Sequence, residues 1–240
     1  MQWCNQAQSD IRLEWGPAAV GYVAQDVDCI VIVDVMSFST CVSLAVDQGA
    51  QIYPYPWKDA SALTYADSIG ARAASPDRLS GTGGFSLSPA SMRKLAAGEK
   101  LVLPSPNGSA ISSLARESGV TVFSGCFRNL SLTARACRDF RRVLVIPCGE
   151  RWPDGTLRPA IEDYLAAGGI IAAIGRDRCS PEAQGAVAAW QQMNPLSLRE
   201  CSSARELQQR GFGEDVDLCL DVDSGQQACQ LQGDFYTARQ

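Results

Sequence analysis

The stretch DCIVIVDVMSFSTCVSLAVDQGA, residues 28 to 50, decides the fold class. Its first part is an unbroken apolar run of strand length, rich in β-branched residues. Its second part carries apolar residues at helical spacing and stops at Gly49. Asp34 stands at the junction, although Ser37, Ser39 and Thr40 are all available to cap the helix.

The same order of strand, short loop and helix recurs three times downstream. KLVLPS (100 to 105) precedes SAISSLARESG, VTVFSG (120 to 125) precedes LSLTARACRDF, and RVLVIPC (142 to 148) precedes a loop and PAIEDYLAAGGIIAAI. Continuous rather than alternating apolar runs imply strands buried on both faces, and therefore a sheet covered by helices. The expected fold is α/β, a layered α/β/α arrangement with a largely parallel or mixed sheet and helices on both faces. Residues 1–240 read as a single domain with room for two subdomains. In such sheets the loops leaving the carboxyl ends of the strands form the ligand crevice, and helix N-termini there suit anions. In the tail, SSARELQQRG (202 to 211) predicts a helix with a Ser203–Glu206 capping box, and DVDLCLDVD (215 to 223) alternates as a one-sided edge strand would.

Composition removes several functions. A net charge of −5 without dense Lys/Arg runs argues against nucleic acid. No apolar stretch is long enough for a membrane span, and the start lacks a basic segment followed by an apolar core, so a cytoplasmic protein is expected. The ten cysteines are scattered through apolar segments with no C-x-x-C pair, which predicts free thiols. The chain has no histidine, which excludes a Ser-His-Asp triad, a phosphohistidine and His-based zinc sites. None of its three lysines sits in a Walker loop.

The unusual polar residues cluster in the strand-end loops. Asp34 is either a cap or a metal ligand or nucleophile. In PSPNGSA (104 to 110), Ser105, Asn107, Gly108 and Ser109 form either an anion cradle of amides and side chains or an ordinary Pro-Asn-Gly turn. Arg128 and Asn129 occupy the equivalent loop in SGCFRN. An Arg at a helix start is poorly placed for the dipole, which favours a grip on an anion over a surface salt bridge. In CGERWPDGTLRPAIEDYLAAGG (148 to 169), Glu150 and Arg151 follow a strand, Arg158 precedes a Pro159 expected at the first helical position, and Glu162 and Asp163 fall in the first turn. With Asp34 these acids supply the hard oxygens that Mg2+ takes in a chain without histidine. Two motifs fail. GTGGFS (81 to 86) lacks the last glycine of a dinucleotide fingerprint, and Met36 stands where haloacid-dehalogenase phosphatases carry a second Asp.

Together, VIVDVMSFSTCVSLAVDQGA, LVLPSPNGSAIS, SGCFRN and CGERWPDGTLRPAIEDYLAAG resemble the 2-phosphosulfolactate phosphatase family, in order, from about residue 28 to about 220. The resemblance implies a Mg2+-dependent phosphoric monoester hydrolase that converts 2-phosphosulfolactate to sulfolactate and phosphate, a step associated with coenzyme M biosynthesis. It maps Asp34 onto the first strand-end acid, Asn107 and Gly108 onto the Asn-Gly turn, Asn129 onto the Asn after the third strand, and Glu162 and Asp163 onto the Glu-Asp pair. Two departures stand out. Ser37 occupies a position where many members have Arg, and the Gly-Asn-Ser-Pro turn survives only as Leu87, Ser88 and Pro89. The expected catalytic and metal residues are Asp34, Glu162 and Asp163. The expected substrate-binding residues are Ser105, Asn107, Gly108, Ser109, Arg128, Asn129, Glu150, Arg151 and Arg158. The expected partner is a small phosphomonoester, and a homodimer is left open. A haloacid-dehalogenase-like phosphomonoesterase and a non-catalytic anion-binding homologue are the rival readings.

Overall fold

In the computed structural model, which describes residues 3–78 and 84–239, the apolar runs become strands and the segments after them helices. The strands are β1 (Ile11–Leu13), β2 (Cys29–Val33), β3 (Gln51–Tyr55), β4 (Arg72–Ala73), β5 (Lys100–Pro104), β6 (Thr121–Gly125), β7 (Val143–Pro147), β8 (Glu150–Arg151), β9 (Leu157–Arg158), β10 (Cys229–Gln232) and β11 (Phe235–Ala238). The helices are α1 (Ala18–Val23), α2 (Phe38–Asp47), α3 (Ser61–Ile69), α4 (Pro89–Met92), α5 (Gly108–Glu117), α6 (Leu130–Cys137), α7 (Ile161–Ile174), α8 (Pro181–Gln192), α9 (Ser202–Gln209) and α10 (Gly213–Cys219). The four expected strand–helix units are β2–α2, β5–α5, β6–α6 and β7–α7. Residues 81–83 of the GTGGFS segment lie outside the described residues.

One sheet has the order β1-β7-β2-β6-β10-β11-β3-β5-β4, and β8 and β9 form a separate small hairpin. Alternation along the central strands assigns each side chain to a helix layer. Val31, Val33, Val143 and Val145 pack with Leu130, Leu165, Ala166 and Ile170 of α6 and α7. Ile30, Ile32, Leu144 and Ile146 point to the other face and pack with Val23 of α1 and with Ile111 and Ala115 of α5. Every residue of β2 and of β7 is buried, as an unbroken apolar run requires.

The strand groups β1-β7-β2-β6 and β3-β5-β4 are each internally parallel. Between them the β10–β11 hairpin pairs antiparallel with β6 on one side and with β3 on the other. In a flat sheet these pairings would send β2 and β5 to opposite edges. Instead the amide of Gly108, at the end of the β5 loop, bonds Asp34 at the end of β2. The sheet is therefore far from flat: at the usual twist of roughly 20–25° per neighbouring pair, about 100–125° accumulates over the five steps from β2 to β5.

The tail departs from expectation. Residues 213–219 are helix α10, not an edge strand, and they bury Asp215, Val216, Leu218 and Cys219. The burial of Asp215 is possible because Arg78 pairs with it at 3.0 Å. The capping box does not form either, since α9 begins at Ser202 with Cys201 as its cap residue and Ser203 lies inside the helix. Pro159 falls before the cap residue Ala160 of α7 and so outside the helix. The ten cysteines are all free, and Cys29, Cys41, Cys126, Cys137, Cys148, Cys219 and Cys229 are buried.

Candidate active site

Asp34 ends β2 and is 5% exposed. Its Oδ1 accepts the Phe38 N–H at 3.2 Å and its Oδ2 accepts the Gly108 N–H at 2.9 Å. One carboxylate thus receives the N-termini of both α2 and α5, each carrying a partial positive charge. The nearby hydroxyls do other work. Ser39 Oγ donates to the Ile32 carbonyl and accepts the Asp34 N–H, and Thr40 Oγ1 donates to the Val35 carbonyl. Capping and a place in the site are therefore not alternatives for Asp34. Gly108 is obligatory here, because a Cβ would lie 2.2 Å from Phe38 Cδ1 and 2.8 Å from Asp34 Oδ2.

Asp163, in the first turn of α7, ties two strand-end loops together. Its Oδ1 accepts the Val35 N–H at 2.7 Å and its Oδ2 the Gly149 N–H at 2.9 Å. Gly149 makes the turn after β7 at φ +67, where a Cβ would also meet Leu157. Glu162 beside it is buried and accepts the Cys201 thiol at 3.5 Å. Glu150 accepts from Asn107 Nδ2 at 3.0 Å, so the β5 and β7 loops meet side chain to side chain.

These carboxyl groups disturb one another. Burial pushes Asp34 above the usual carboxylate range, and the N–H groups of Gly108 and Phe38 offset part of the rise. Asp163 is raised well above that range, first by burial and then by the charges of Asp34 and Glu162. Glu150 is pushed up to about 7 by burial and then by Asp34. Among the described residues none of Asp34, Glu150, Glu162 and Asp163 forms an ion pair. A cluster of hard oxygens without an ion-paired cation fits a divalent cation chemically. Each oxygen of Asp34 and Asp163 keeps a further lone pair beyond its amide bond. As arranged, no three His, Cys, Asp or Glu side chains among the described residues converge as a ready-made metal cage.

A cavity of about 180 Å³ is lined by Asp34 and Glu150 of this cluster, though not by Glu162 or Asp163, and by Ser105 and Asn107. Its wall also carries the cations Lys58, Arg78 and Arg210, together with Glu206. Sequence reading missed all three cations. Lys58 had a usable signal, since it lies just past the carboxyl end of β3, whereas Arg78 and Arg210 reach the cavity from segments whose local sequence carries no motif. Arg78 donates from Nη2 to Ser37 Oγ at 2.7 Å and from Nη1 to Asp215 Oδ2 at 3.0 Å. Lys58 makes no hydrogen bond among the described residues, and desolvation followed by repulsion from Arg78 lowers its pKa.

The other expected residues are placed as follows. Ser105 lines the cavity and accepts the Asn107 N–H at 3.3 Å. Ser109 Oγ is taken up by the Leu103 carbonyl at 2.7 Å. Arg128 is buried away from the cavity lining, where it bonds Ser224 Oγ at 2.8 Å and pairs with Asp47 at 3.3 Å. Asn129 holds the backbone of its own loop, accepting from Cys126 N and donating to the Ser124 carbonyl. Arg151 is exposed and, with Asn107 and Glu150, lines an adjoining cavity of about 220 Å³. Arg158 stands one layer back, donating to Ser203 Oγ at 3.3 Å while its charge opposes the rise at Glu150.

A family profile described as 2-phosphosulpholactate phosphatase matches residues 21–233. The chain belongs to the 2-phosphosulfolactate phosphatase family. That bears out the resemblance carried by the four strand-end motifs, and the match takes in every residue of the acidic cluster and of the cationic wall. A curated 2-phosphosulfolactate phosphatase from Methanothermobacter thermautotrophicus is 34% identical over 126 residues, covering 51% of this chain and 52% of the relative. The aligned part thus spans about half the length of that family member.

Proposed function

We propose that this chain is a Mg2+-dependent phosphatase that hydrolyses 2-phosphosulfolactate, or a closely related phosphorylated 2-hydroxy acid, to the hydroxy acid and phosphate. The observation that carries the reading is one cavity lined by both carboxylates and cations. A generic phosphate-binding surface has no use for the first, and a metal store has no use for the second. Family membership and the similarity to a curated phosphatase support the same reaction class.

Asp34, Glu162 and Asp163, with Glu150 beside them, would hold the Mg2+, which when bound neutralises phosphate oxygens and lowers the pKa of a coordinated water. The chain's own groups do the rest. The Asn107 side chain and the amides of its loop are neutral donors for phosphate oxygens. Hydrolysis breaks the ester P–O bond, forms a new one to the oxygen of water, and leaves the departing alkoxide in need of a proton. With a pKa of about 7, Glu150 populates both protonation forms near neutrality and can accept the water's proton or supply the alkoxide's. Both oxygens of Asp34 are held by amides, which favours an electrostatic role over direct attack on phosphorus. The ten free thiols support a place in the reducing cytoplasm, and the reaction would serve coenzyme M biosynthesis.

Phosphate release from 2-phosphosulfolactate by the purified protein tests the proposal. Turnover with Mg2+ and its loss in EDTA are expected. Equal turnover in both conditions removes the metal from the mechanism, an acyl phosphate trapped at Asp34 by borohydride selects the dehalogenase-like route, and binding without release selects the non-catalytic reading.

A further inference from the structure

Lys58, Arg78 and Arg210 line the same cavity as Asp34 and Glu150, so an acidic substrate placed there meets cations as well as the carboxylates and the metal they would hold. We infer that Arg78 and Lys58 form a second anion subsite, which reads an acidic group of the substrate remote from the scissile phosphate. The inference rests on the reading of this cavity as a phosphomonoester site.

Three observations carry it. First, the Arg78 guanidinium is held in a fixed pose: Asp215 takes one N–H and Ser37 Oγ another, at 3.0 and 2.7 Å. Asp215 is in turn fixed by Ser88 Oγ at 2.8 Å and by the Ala90 N–H at 2.9 Å. A guanidinium has five N–H donors, so among the described residues more than half of its capacity stays open on a side chain that lines the cavity. Secondly, the Lys58 ammonium lines the same wall with no hydrogen bond or ion pair among the described residues. Arg210, by contrast, is paired with Glu206 at 3.0 Å, and Glu206 lines the cavity too, so that pair adds little net charge. Thirdly, a metal held by the carboxylates would take the phosphate, which leaves the cations of the same cavity to a further acidic group. An anion beside Arg78 and Lys58 gains a planar fork and a point charge. The Ser37 hydroxyl accepts from Arg78, which leaves its own proton free to donate to the same ligand. A sulfonate or carboxylate oxygen cluster matches that donor set.

The test compares two esters that differ only in the remote group: 2-phosphosulfolactate and 2-phospholactate, which lacks the sulfonate. Losing a charge-assisted bond of this kind lowers discrimination by about 10- to 100-fold. Arg78→Met and Lys58→Met are each expected to reduce the ratio of kcat/KM values, sulfonate ester over plain ester, by at least about tenfold, mainly through KM. Asp34→Asn should lower both esters in parallel and leave the ratio where it was. Lys58 has no partners among the described residues, so its variant reads the subsite even if Arg78→Met fails to fold. An unchanged ratio in Lys58→Met together with a folded Arg78→Met overturns the inference. Calorimetric titration with sulfolactate separates it from the hydrolysis reading. Weaker sulfolactate binding in the variants, with no phosphate released from any ester, upholds the subsite and removes the phosphatase. Absent or unaltered sulfolactate binding overturns the subsite.

Discussion

Replacing Asp34 by Asn preserves shape and one acceptor oxygen but removes the charge, and it turns an amide nitrogen toward the N–H of either Phe38 or Gly108. A helix N-terminus then loses its acceptor in a buried place, which costs about 1–3 kcal/mol. Turnover is expected to fall by at least ~10² with the fold retained, the scale of a key electrostatic group. Steady-state kinetics with Mg2+ and a thermal melt check both, and near-normal turnover would reduce Asp34 to its capping role. Glu150 offers a test by pH. Its folded pKa of about 7 lies above the ordinary carboxylate value, so the native state holds its proton longer than the unfolded chain does. Stability from this group is intact in acid, declines between the unfolded value and about 7, and stays reduced above it. Glu150→Gln in EDTA-treated protein is therefore expected to leave the melting temperature unchanged at pH 4 and to raise stability at pH 8, by on the order of 1–3 kcal/mol. No gain at pH 8 would mean that the carboxyl is not strained by its neighbours.

At the scale of elements, the site depends on close approaches that only glycine permits. The N-terminus of α5 rests on Phe38 of α2, and a Cβ at Gly108 would overlap that ring at 2.2 Å. Gly108→Ala should push α5 away from Asp34, lowering kcat by about the same factor as Asp34→Asn and destabilising by about 1–3 kcal/mol. At Gly168 a Cβ would fall 2.1 Å from the Ala186 carbonyl oxygen, where α7 meets α8. Gly168→Ala should cost comparable stability, read from denaturant midpoints, while sparing the cavity except through tilting of α7. Elements also explain the misread tail. In DVDLCLDVD the acidic and apolar residues alternate, but a short segment fits a helical face as well: Val216 and Cys219, three apart, are both fully buried in α10. The arginine that decides the matter, Arg78, is far away in sequence, so no local pattern could have announced a buried Asp215.

At the scale of the molecule, the C-terminal hairpin is the seam between two parallel strand groups. β10 covers the edge of β6 and β11 that of β3, and the seam buries Cys229 and Tyr236, whose hydroxyl bonds Ser112 at 2.8 Å. Deleting residues 227–240 would open two edges at once and is expected to give insoluble protein or a molten species, checked by soluble yield and by near-ultraviolet circular dichroism. The amino-acid sequence by itself determined the strand–helix units, the two-sided burial of β2 and β7, and the placing of Asp34, Asn107 and Glu150 at strand ends. Those features are written in runs and spacings a few residues long, because burial on both faces leaves no polar position to interrupt the run. The tertiary structure alone decided that the hairpin enters the middle of the sheet, and that the ends of β2 and β5 meet. It also decided that Lys58, Arg78 and Arg210 share one cavity with Asp34 and Glu150, while Arg128 and Asn129 hold the frame. The physical reason is that such meetings are fixed by packing and pairing between segments tens to more than a hundred residues apart, which no local window of sequence contains.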